Sequence, residues 1–397
     1  MPYKKEVDGM SGKKFFTLFF VSLIIFSLGA LIQPCYGEEV IKVGFFAPLT
    51  GFAAADGASA KHAVEIGVKQ INDAGGINGK KVKLVIYDDR VDSKEAVAIA
   101  RKLTEKDKVV AVVSGSYSGP TRVTAPILQK AGIPMVAGYA VHKDITRAGD
   151  FIFRNGFLGE VEGAAAAEVA VKQLMAKRIA VLTMDNDFGR ALSAGFVKHA
   201  EESGAQIVSH QVYSLKEEDY TPFLTKVRKV NPDLLFTSGY YKQAALICRQ
   251  AKDLGLKVQI LGEEGFDSPK FLEIARGSAE GVIIVTNLNR DDKRPHVQKF
   301  LRTYKERYGL DADMVGASSY DAFMIVAYAI RKAGTNPKAI RKALAELRDY
   351  DAITGNISRF NAIGEVTKPV QVQVVREGKF RYYGVVDDPG IITPPEN

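Results

Sequence analysis

The sequence predicts an α/β protein made of two successive strand–helix series. Short apolar strands alternate with amphipathic helices from Ile41 onward, and Val109–Val113 is a five-residue apolar run of the kind buried on both faces of a parallel sheet. The same rhythm restarts after Phe151–Phe153. At 397 residues the chain is too long for one comfortable core and suits two lobes.

The elements follow in order. Ile41–Ala47 reads as a strand, and Ala58–Ala74 as a helix that Gly75-Gly76 ends. Val82–Tyr87 is a strand, and Ser93–Lys106 a helix with Ala96, Ala98, Ala100 and Leu103 on a broad apolar face. After the Val109–Val113 strand, Pro120–Ala131 is a helix and Pro134–Ala137 a strand. The second series has helices at Glu160–Met175, Phe188–Gly204, Tyr220–Lys229 and Lys242–Leu254. Its strands are Arg178–Leu182, Ile207–Val212, Leu234–Thr237, Gln259–Leu261 and Val282–Val285. Helices then dominate at Pro295–Tyr308, Gly316–Ala333 and Pro337–Leu347. Val370–Val375 and Phe380–Val386, separated by Glu377-Gly378, read as a hairpin. Two such series followed by helices imply two Rossmann-like lobes with parallel sheets, the chain crossing between them more than once. Ligands of such sheets sit outside the carboxyl ends of the strands, which here means the cleft between the lobes.

Composition narrows the function classes. Hydrophobic residues make up 46% and charged residues 25%, a soluble globular balance. The net charge of +8 is scattered, with Lys80-Lys81 and Lys102 set among Asp88, Asp89 and Glu105. A nucleic-acid binder gathers its basic residues on a stripe with interleaved aromatics, so nucleic acid is not an expected partner. Lys13-Lys14 precede an apolar run from Phe15 to about Ile32, followed by Gln33, Pro34, Cys35, Tyr36 and Gly37. This is the layout of a cleaved signal peptide over residues 1–37, with the cut after Gly37, and it implies a periplasmic or other extracytoplasmic location. A retained membrane anchor and lipidation of Cys35 are the alternatives. Cys248 then stands alone in a helix and reads as a small buried hydrophobe.

Enzyme signatures fail one by one. Gly115-Ser116-Tyr117-Ser118-Gly119 imitates a nucleophile elbow, but its central residue is Tyr117. Ala74–Lys80 lacks the first glycine of a phosphate loop and the Ser or Thr after its lysine. His62, His142, His199, His210 and His296 form no H-x-x-x-H pair. No catalytic residue, metal or cofactor is expected.

The loops after strands are more informative. Ser114–Pro120 is small and flexible, and it opens a helix. A helix N-terminus attracts a carboxylate through its free N–H groups and dipole, although Ser118 as a bare N-cap explains part of the pattern equally well. Ser238-Gly239-Tyr240-Tyr241, Gly262-Glu263-Glu264-Gly265-Phe266 and Asp185-Asn186-Asp187-Phe188-Gly189 end other strands. An acid on such a loop holds an ammonium by a charge-assisted bond, or is simply solvated.

In this order the loops resemble the periplasmic leucine/isoleucine/valine-binding proteins of ABC uptake systems. The resemblance runs from about Ile41 to Val386. It rests on Ile41-Lys42-Val43-Gly44 leading to Pro48-Leu49-Thr50-Gly51, on Ile71-Asn72 with Gly75-Gly76-Ile77-Asn78-Gly79, and on Tyr87-Asp88-Asp89. Gly239-Tyr240-Tyr241, Gly262-Glu263-Glu264-Gly265 and Ser319-Tyr320-Asp321-Ala322 match later in the chain. The resemblance implies a type I periplasmic-binding fold whose two lobes are joined by three crossovers. It places residues 38–157 with 288–367 in lobe 1, and residues 158–287 with 368–397 in lobe 2.

The resemblance also implies roles. Ser118 matches the serine that holds a ligand α-carboxylate, with Ser116 and Tyr117 beside it on the wall. Ala140 and Val141 match a strand-end pair that meets the head group. Glu264 matches the acid that pairs with the α-ammonium. Phe188 and Tyr240 match two aromatic residues of the second lobe, Phe188 standing in place of a tyrosine. Tyr320 matches an aromatic at the cleft mouth. Asp56 falls where these binders carry a large apolar residue against the ligand side chain, and Val141 replaces a hydroxyl residue. These departures weaken the case for leucine itself and open the way to a polar or cationic tail or an aromatic acid. The implied function is an extracytoplasmic amino-acid-binding protein, a monomer that closes on its ligand and delivers it to ABC permease and ATPase subunits. The alternatives are a sensory ligand-binding protein and a binder of a non-amino-acid carboxylate.

Overall fold

A computed structural model of the chain describes residues 1–6 and 40–396. The apolar core of the expected signal peptide, Cys35 and the Gly37 cleavage point lie outside the described residues. The part from Val40 onward forms one compact unit.

Its first half builds an all-parallel sheet. Strand β1 (Ile41–Ala47) leads to helix α1 (Ala54–Asp73), then to β2 (Val82–Asp88), α2 (Ser93–Arg101), β3 (Ala111–Ser114), α3 (Ser118–Ala131), β4 (Met135–Ala137) and β5 (Ile152–Arg154). The strand order is β2-β1-β3-β4-β5, so every strand ends on the same edge. Asp92 caps α2 by accepting from the N–H groups of Lys94 and Glu95. Beyond Arg101 the helix widens into a π-turn through Asp107. Helix α1 starts earlier than the sequence suggests. Gly57 looks like a breaker, but a Cβ there would lie 2.0 Å from the Pro48 carbonyl oxygen. Glycine is required for that close approach, and the helix runs through it. Asp56 therefore stands in the first turn of α1 instead of in a loop.

The second series gives α4 (Gly159–Glu168), β6 (Arg178–Met184), α5 (Asp187–Glu202), β7 (Gln206–Tyr213), α6 (Thr221–Val230), β8 (Leu234–Thr237), α7 (Tyr241–Asp253), β9 (Gln259–Gly262), α8 (Pro269–Ala275) and β10 (Ile283–Thr286). The chain then returns to the first sheet through α9 (Pro295–Tyr308) and α10 (Met314–Ala333), which pack on α1, and continues into α11 (Pro337–Ala345). A small antiparallel sheet follows, made of β11 (Arg348–Ala352), β12 (Gly355–Phe360) and β13 (Val366–Thr367). The chain finishes with β14 (Val370–Arg376), β15 (Lys379–Val386) and α12 (Pro389–Ile392). The large second sheet is ordered β15-β14-β10-β9-β8-β6-β7 and is parallel from β10 to β7.

Strands β14 and β15 join that sheet antiparallel, so the expected hairpin adds a mixed edge to an otherwise parallel sheet. Glu377 and Gly378 form its two-residue turn with φ of 53° and 66°, the positive-φ pair that matches strand twist. Helix α8 and strands β11–β13 have no counterpart in the sequence reading. Arg348–Phe360 mixes charged and apolar residues without strict alternation, and only its pairing makes it a sheet.

Both large sheets are covered on two faces. On the first, Val43 and Phe45 pack toward α1 and α10, where Val64 and Phe323 are fully buried. Phe46 and Val112 pack the other way, onto Ile99 of α2, Leu103 of the π-turn that follows it and Leu128 of α3. In the second, Ile179, Val181 and Phe236 meet Phe196 beneath α4 and α5. Ala180, Leu182 and Leu235 face Leu224, Ala244 and Ile247 on the opposite side. Each such large apolar side chain contributes about 1.5–3 kcal/mol on burial, enough to set the sheet edges rigidly.

Candidate functional site

The carboxyl ends of β3 and β4 make one wall. After β3 the chain turns through Gly115, which donates to the Phe46 carbonyl at 2.9 Å, and α3 begins at Ser118. The residue before the helix is Tyr117, and no side chain caps it. Ser118 is therefore not an N-cap. Its hydroxyl accepts from the Val141 N–H at 3.1 Å and ties the β3 loop to the β4 loop. The β4 loop is held from below by Arg154, which is fully buried and paired with Glu365 at 2.9 Å. Its guanidinium also donates to the carbonyls of Ala140 and His142. Tyr139 donates its hydroxyl to the Gly115 carbonyl at 2.9 Å and braces the same two loops.

Asp56 closes this wall. It is buried, and its Oδ2 accepts from the Tyr117 hydroxyl at 2.5 Å. Burial pushes its carboxyl up to about 7, reinforced by the like charge of Asp313 and opposed by the Tyr117 hydrogen bond. Asp313 caps α10 through the Gly316 N–H at 2.8 Å and accepts from Ser59 at 2.5 Å. Burial pushes its carboxyl up to about 6.

The second wall comes from β6, β8 and β9. Asn186 caps α5 by accepting from Gly189 N–H at 2.8 Å and donates its amide to the Tyr240 hydroxyl at 3.1 Å. The rings of Phe188 and Tyr240 stack at 5.1 Å, and Tyr240 stacks on Tyr117 of the first wall at 4.3 Å. Two adjacent acids follow β9 and differ in kind. Glu263 is consumed locally, accepting from Gly239 N–H at 2.7 Å and Gly265 N–H at 2.6 Å. Glu264 has Oε2 bonded by the Asn287 amide at 2.7 Å, while its buried Oε1 has no partner among the described residues. Burial holds its carboxyl well above the usual range, with Glu162 and Glu263 adding to the rise and Lys368 opposing it.

These two walls, with Met314 and Val315 from the start of α10, enclose a cavity lined by Asp56, Tyr117, Ser118, Tyr139, Ala140, Phe188, Tyr240, Glu264 and Gly265. The cavity is small, about 20 Å³, room for about one water molecule.

The model describing periplasmic binding proteins matches residues 40–379. The chain belongs to the periplasmic binding protein family. It is 28% identical over 321 residues to the leucine-, isoleucine-, valine-, threonine- and alanine-binding protein of Pseudomonas aeruginosa, covering 80% of this chain and 85% of that one. The leucine binding protein LivK from Thermotoga maritima superposes with a TM-score of 0.82 at 29% identity, over 88% of this chain and 99% of that one. The branched-chain amino acid transporter substrate binding protein LivJ from Streptococcus pneumoniae, solved in complex with isoleucine, gives 0.81 at 27% identity, again over 88% and 99%. The fold is thus the type I periplasmic-binding architecture that the resemblance implies.

Within this periplasmic binding protein, seven of the ten singled-out residues line one cavity: Asp56, Tyr117, Ser118, Ala140, Phe188, Tyr240 and Glu264. Three do not. Ser116 is turned into the protein beside Asp89. The Val141 N–H is engaged by Ser118, so it is not a free donor for a head group. Tyr320 packs against Phe300 at 4.8 Å and donates to Gln70 at 2.8 Å, which holds it in the contact of α10 with α1 and α9, away from the cavity lining. Tyr139, Gly265, Met314 and Val315 were missed. Tyr139 follows β4 directly, so the strand-end rule applies to it as well as to Ala140. Met314 and Val315 lie at the first turn of a helix that the sequence reading starts at Gly316.

Cys248 is buried in α7, where desolvation pushes its thiol up to about 12. At neutral pH it is a packed hydrophobe and no nucleophile.

Proposed function

We propose that this chain is the extracytoplasmic amino-acid-binding component of an ABC uptake transporter. The observation that carries the reading is the state of Glu264: a buried carboxyl group in the cavity wall whose Oε1 has no partner among the described residues. An isolated buried acid is costly, and a ligand ammonium supplies the missing donor and charge together. Opposite it, Ser118 opens α3, whose first N–H groups have no intrahelical acceptor and suit a carboxylate. A zwitterion admitted between the walls as they part satisfies both ends, and no step of chemistry is needed.

In this reading residues 38–157 with 288–367 move as one lobe and residues 158–287 with 368–397 as the other. Asn155–Gly159, Thr286–Asn289 and Thr367–Val370 then serve as the hinges of a monomer. Permease and ATPase subunits are the partners. The first 37 residues act as a cleaved signal, so mass spectrometry of the mature envelope protein should give an N-terminus at or near Glu38. An uncut chain or an acylated Cys35 would remove that part of the reading.

The test is calorimetric titration of two variants with an amino acid and its deaminated analogue. Glu264→Gln should weaken the amino acid by about tenfold to a hundredfold, the range of a charge-assisted bond. Ser118→Ala should weaken it less, because backbone donors stay in place. The row of Tyr117, Tyr240 and Phe188 rings favours a second reading, a plain aromatic carboxylate as ligand. In that case Ser118→Ala still weakens binding, while Glu264→Gln is neutral or improves it. Unchanged affinity in both variants would take these residues out of the site.

A further inference from the structure

We propose that Asp56 selects an amino acid whose side chain ends in a hydrogen-bond donor, a hydroxyl or an ammonium, and disfavours the branched aliphatic ones. The inference rests on the amino-acid reading above and adds which amino acids the site takes.

The argument starts from what Asp56 lacks. It lines the cavity from the first turn of α1 and is 5% exposed. Oδ2 is taken by the Tyr117 hydroxyl at 2.5 Å, while Oδ1 accepts no hydrogen bond among the described residues. No Lys, Arg or His among the described residues forms an ion pair with it. The groups whose fields reach it are Tyr117, Tyr139, Tyr240, Tyr241 and Asp313, all neutral or acidic. Asp313 already accepts from Ser59 and Gly316 and offers Asp56 nothing but a like charge.

A ligand tail in this cavity meets two kinds of surface. Met314 and Val315 present hydrocarbon, which suits a methylene stem. Asp56 presents at the cavity surface an acceptor that no described side chain or N–H engages. A leucine or isoleucine methyl laid against it would leave that acceptor desolvated and unbonded. A hydroxyl or ammonium at the same place supplies the bond. Sites built to bond a substrate donor discriminate strongly against the isostere that lacks it, whereas an apolar slot discriminates weakly against an added hydroxyl. Tyr117 fixes the carboxylate in place and leaves one oxygen for the ligand, so the acceptor is preorganised.

Three pairs of amino acids separate the possibilities, because each pair differs mainly by one donor: valine and threonine, norleucine and lysine, phenylalanine and tyrosine. Titration calorimetry of the wild-type protein should show the donor-bearing member of the accepted pair binding about tenfold to a hundredfold tighter than its apolar partner. The accepted pair identifies the tail as hydroxyl, ammonium or phenol. Asp56→Leu should reverse the preference, and Asp56→Asn, which keeps an acceptor for Tyr117, should preserve it for hydroxyl tails and reduce it for lysine. The wild-type ratios stand as a test even if Asp56→Leu fails to fold. An apolar member that binds as tightly as its partner overturns the inference and leaves the amino-acid reading standing. If none of the six binds, the amino-acid reading falls, and this inference falls with it.

Discussion

Tyr117 and Tyr240 stack face to face, 4.3 Å between centroids and 13° between planes, although they come from the ends of different sheets. The contact bridges the cleft at the cavity itself. Two weaker contacts lie beside it. The Tyr241 hydroxyl donates to the Phe52 carbonyl at 3.1 Å, and Arg122 Nε lies 2.9 Å from Asp187 Oδ2 on a half-exposed surface. A stacked pair contributes about 0.5–1.5 kcal/mol beyond its buried area, whereas an exposed ion pair contributes about 0–1 kcal/mol. The rings therefore dominate what holds the two walls together.

Tyr117→Ala should shift the ligand-free protein toward an open form. Small-angle scattering without ligand should give a larger radius of gyration for the variant than for the wild type, and Arg122→Ala should give little change. A variant radius equal to the wild-type value would show that the stack does not hold the cleft shut.

Much of this site was legible because it obeys a local rule. Ser118, Ala140, Tyr240 and Glu264 all follow strands of parallel sheets, and parallel strands place their loops on one edge. Met314 and Val315 obey no such rule. They reach the cavity because α10 packs on α1, a contact between segments some 250 residues apart that leaves no local periodicity. Tyr320 fails for a related reason. It lies six residues into α10 from Met314, about 9 Å along the axis, which carries it past the cavity to Phe300 and Gln70. The distinction between Glu263 and Glu264 was not readable from the two adjacent acids alone. The family resemblance pointed to Glu264, and only the hydrogen bonds to Gly239 and Gly265 show why Glu263 is occupied.

The buried acids give the ligand-free protein a defined pH response. Asp56 has an ordinary pKa of 3.8 and a folded value of about 7. Between those values the folded chain binds more protons than the unfolded one, so stability falls as pH rises through the window. Asp89 and Asp313, each raised to about 6, and Glu162, raised to about 8, act in the same direction. Lys368, lowered to about 8 from 10.5, acts oppositely but only above its folded value. The melting temperature should therefore decline from about pH 5 to about pH 8. Asp56→Asn removes the largest aspartate contribution and should melt about 2 °C or more above wild type at the upper end, with little difference at the lower end. A flat wild-type profile, or an Asn variant that parallels it throughout, would contradict this assignment.

Lys368 acts on Glu264 from outside the cavity lining. The residue is fully buried in the segment between β13 and β14, where it donates to the Thr354 hydroxyl at 2.8 Å and lies 5.1 Å from the centre of the Phe157 ring. Asp321, Glu264 and Glu162 draw its charge, while burial lowers its pKa to about 8. Its positive field in turn works against the rise of Glu264. Lys368→Met removes that field and keeps the volume. Glu264 should then hold its proton more firmly in the empty site, so an arriving ammonium must displace it. Two consequences follow for an amino-acid ligand: affinity falls by about tenfold, and calorimetry in buffers of different ionisation enthalpy shows more protons released per ligand bound. Stability should fall as well, by about 3–5 kcal/mol, since removing one partner of a buried charge cluster leaves the others uncompensated, so affinity and proton release are read on variant protein shown to be folded. A variant with wild-type affinity and wild-type proton release would show that Lys368 serves only packing at the crossover.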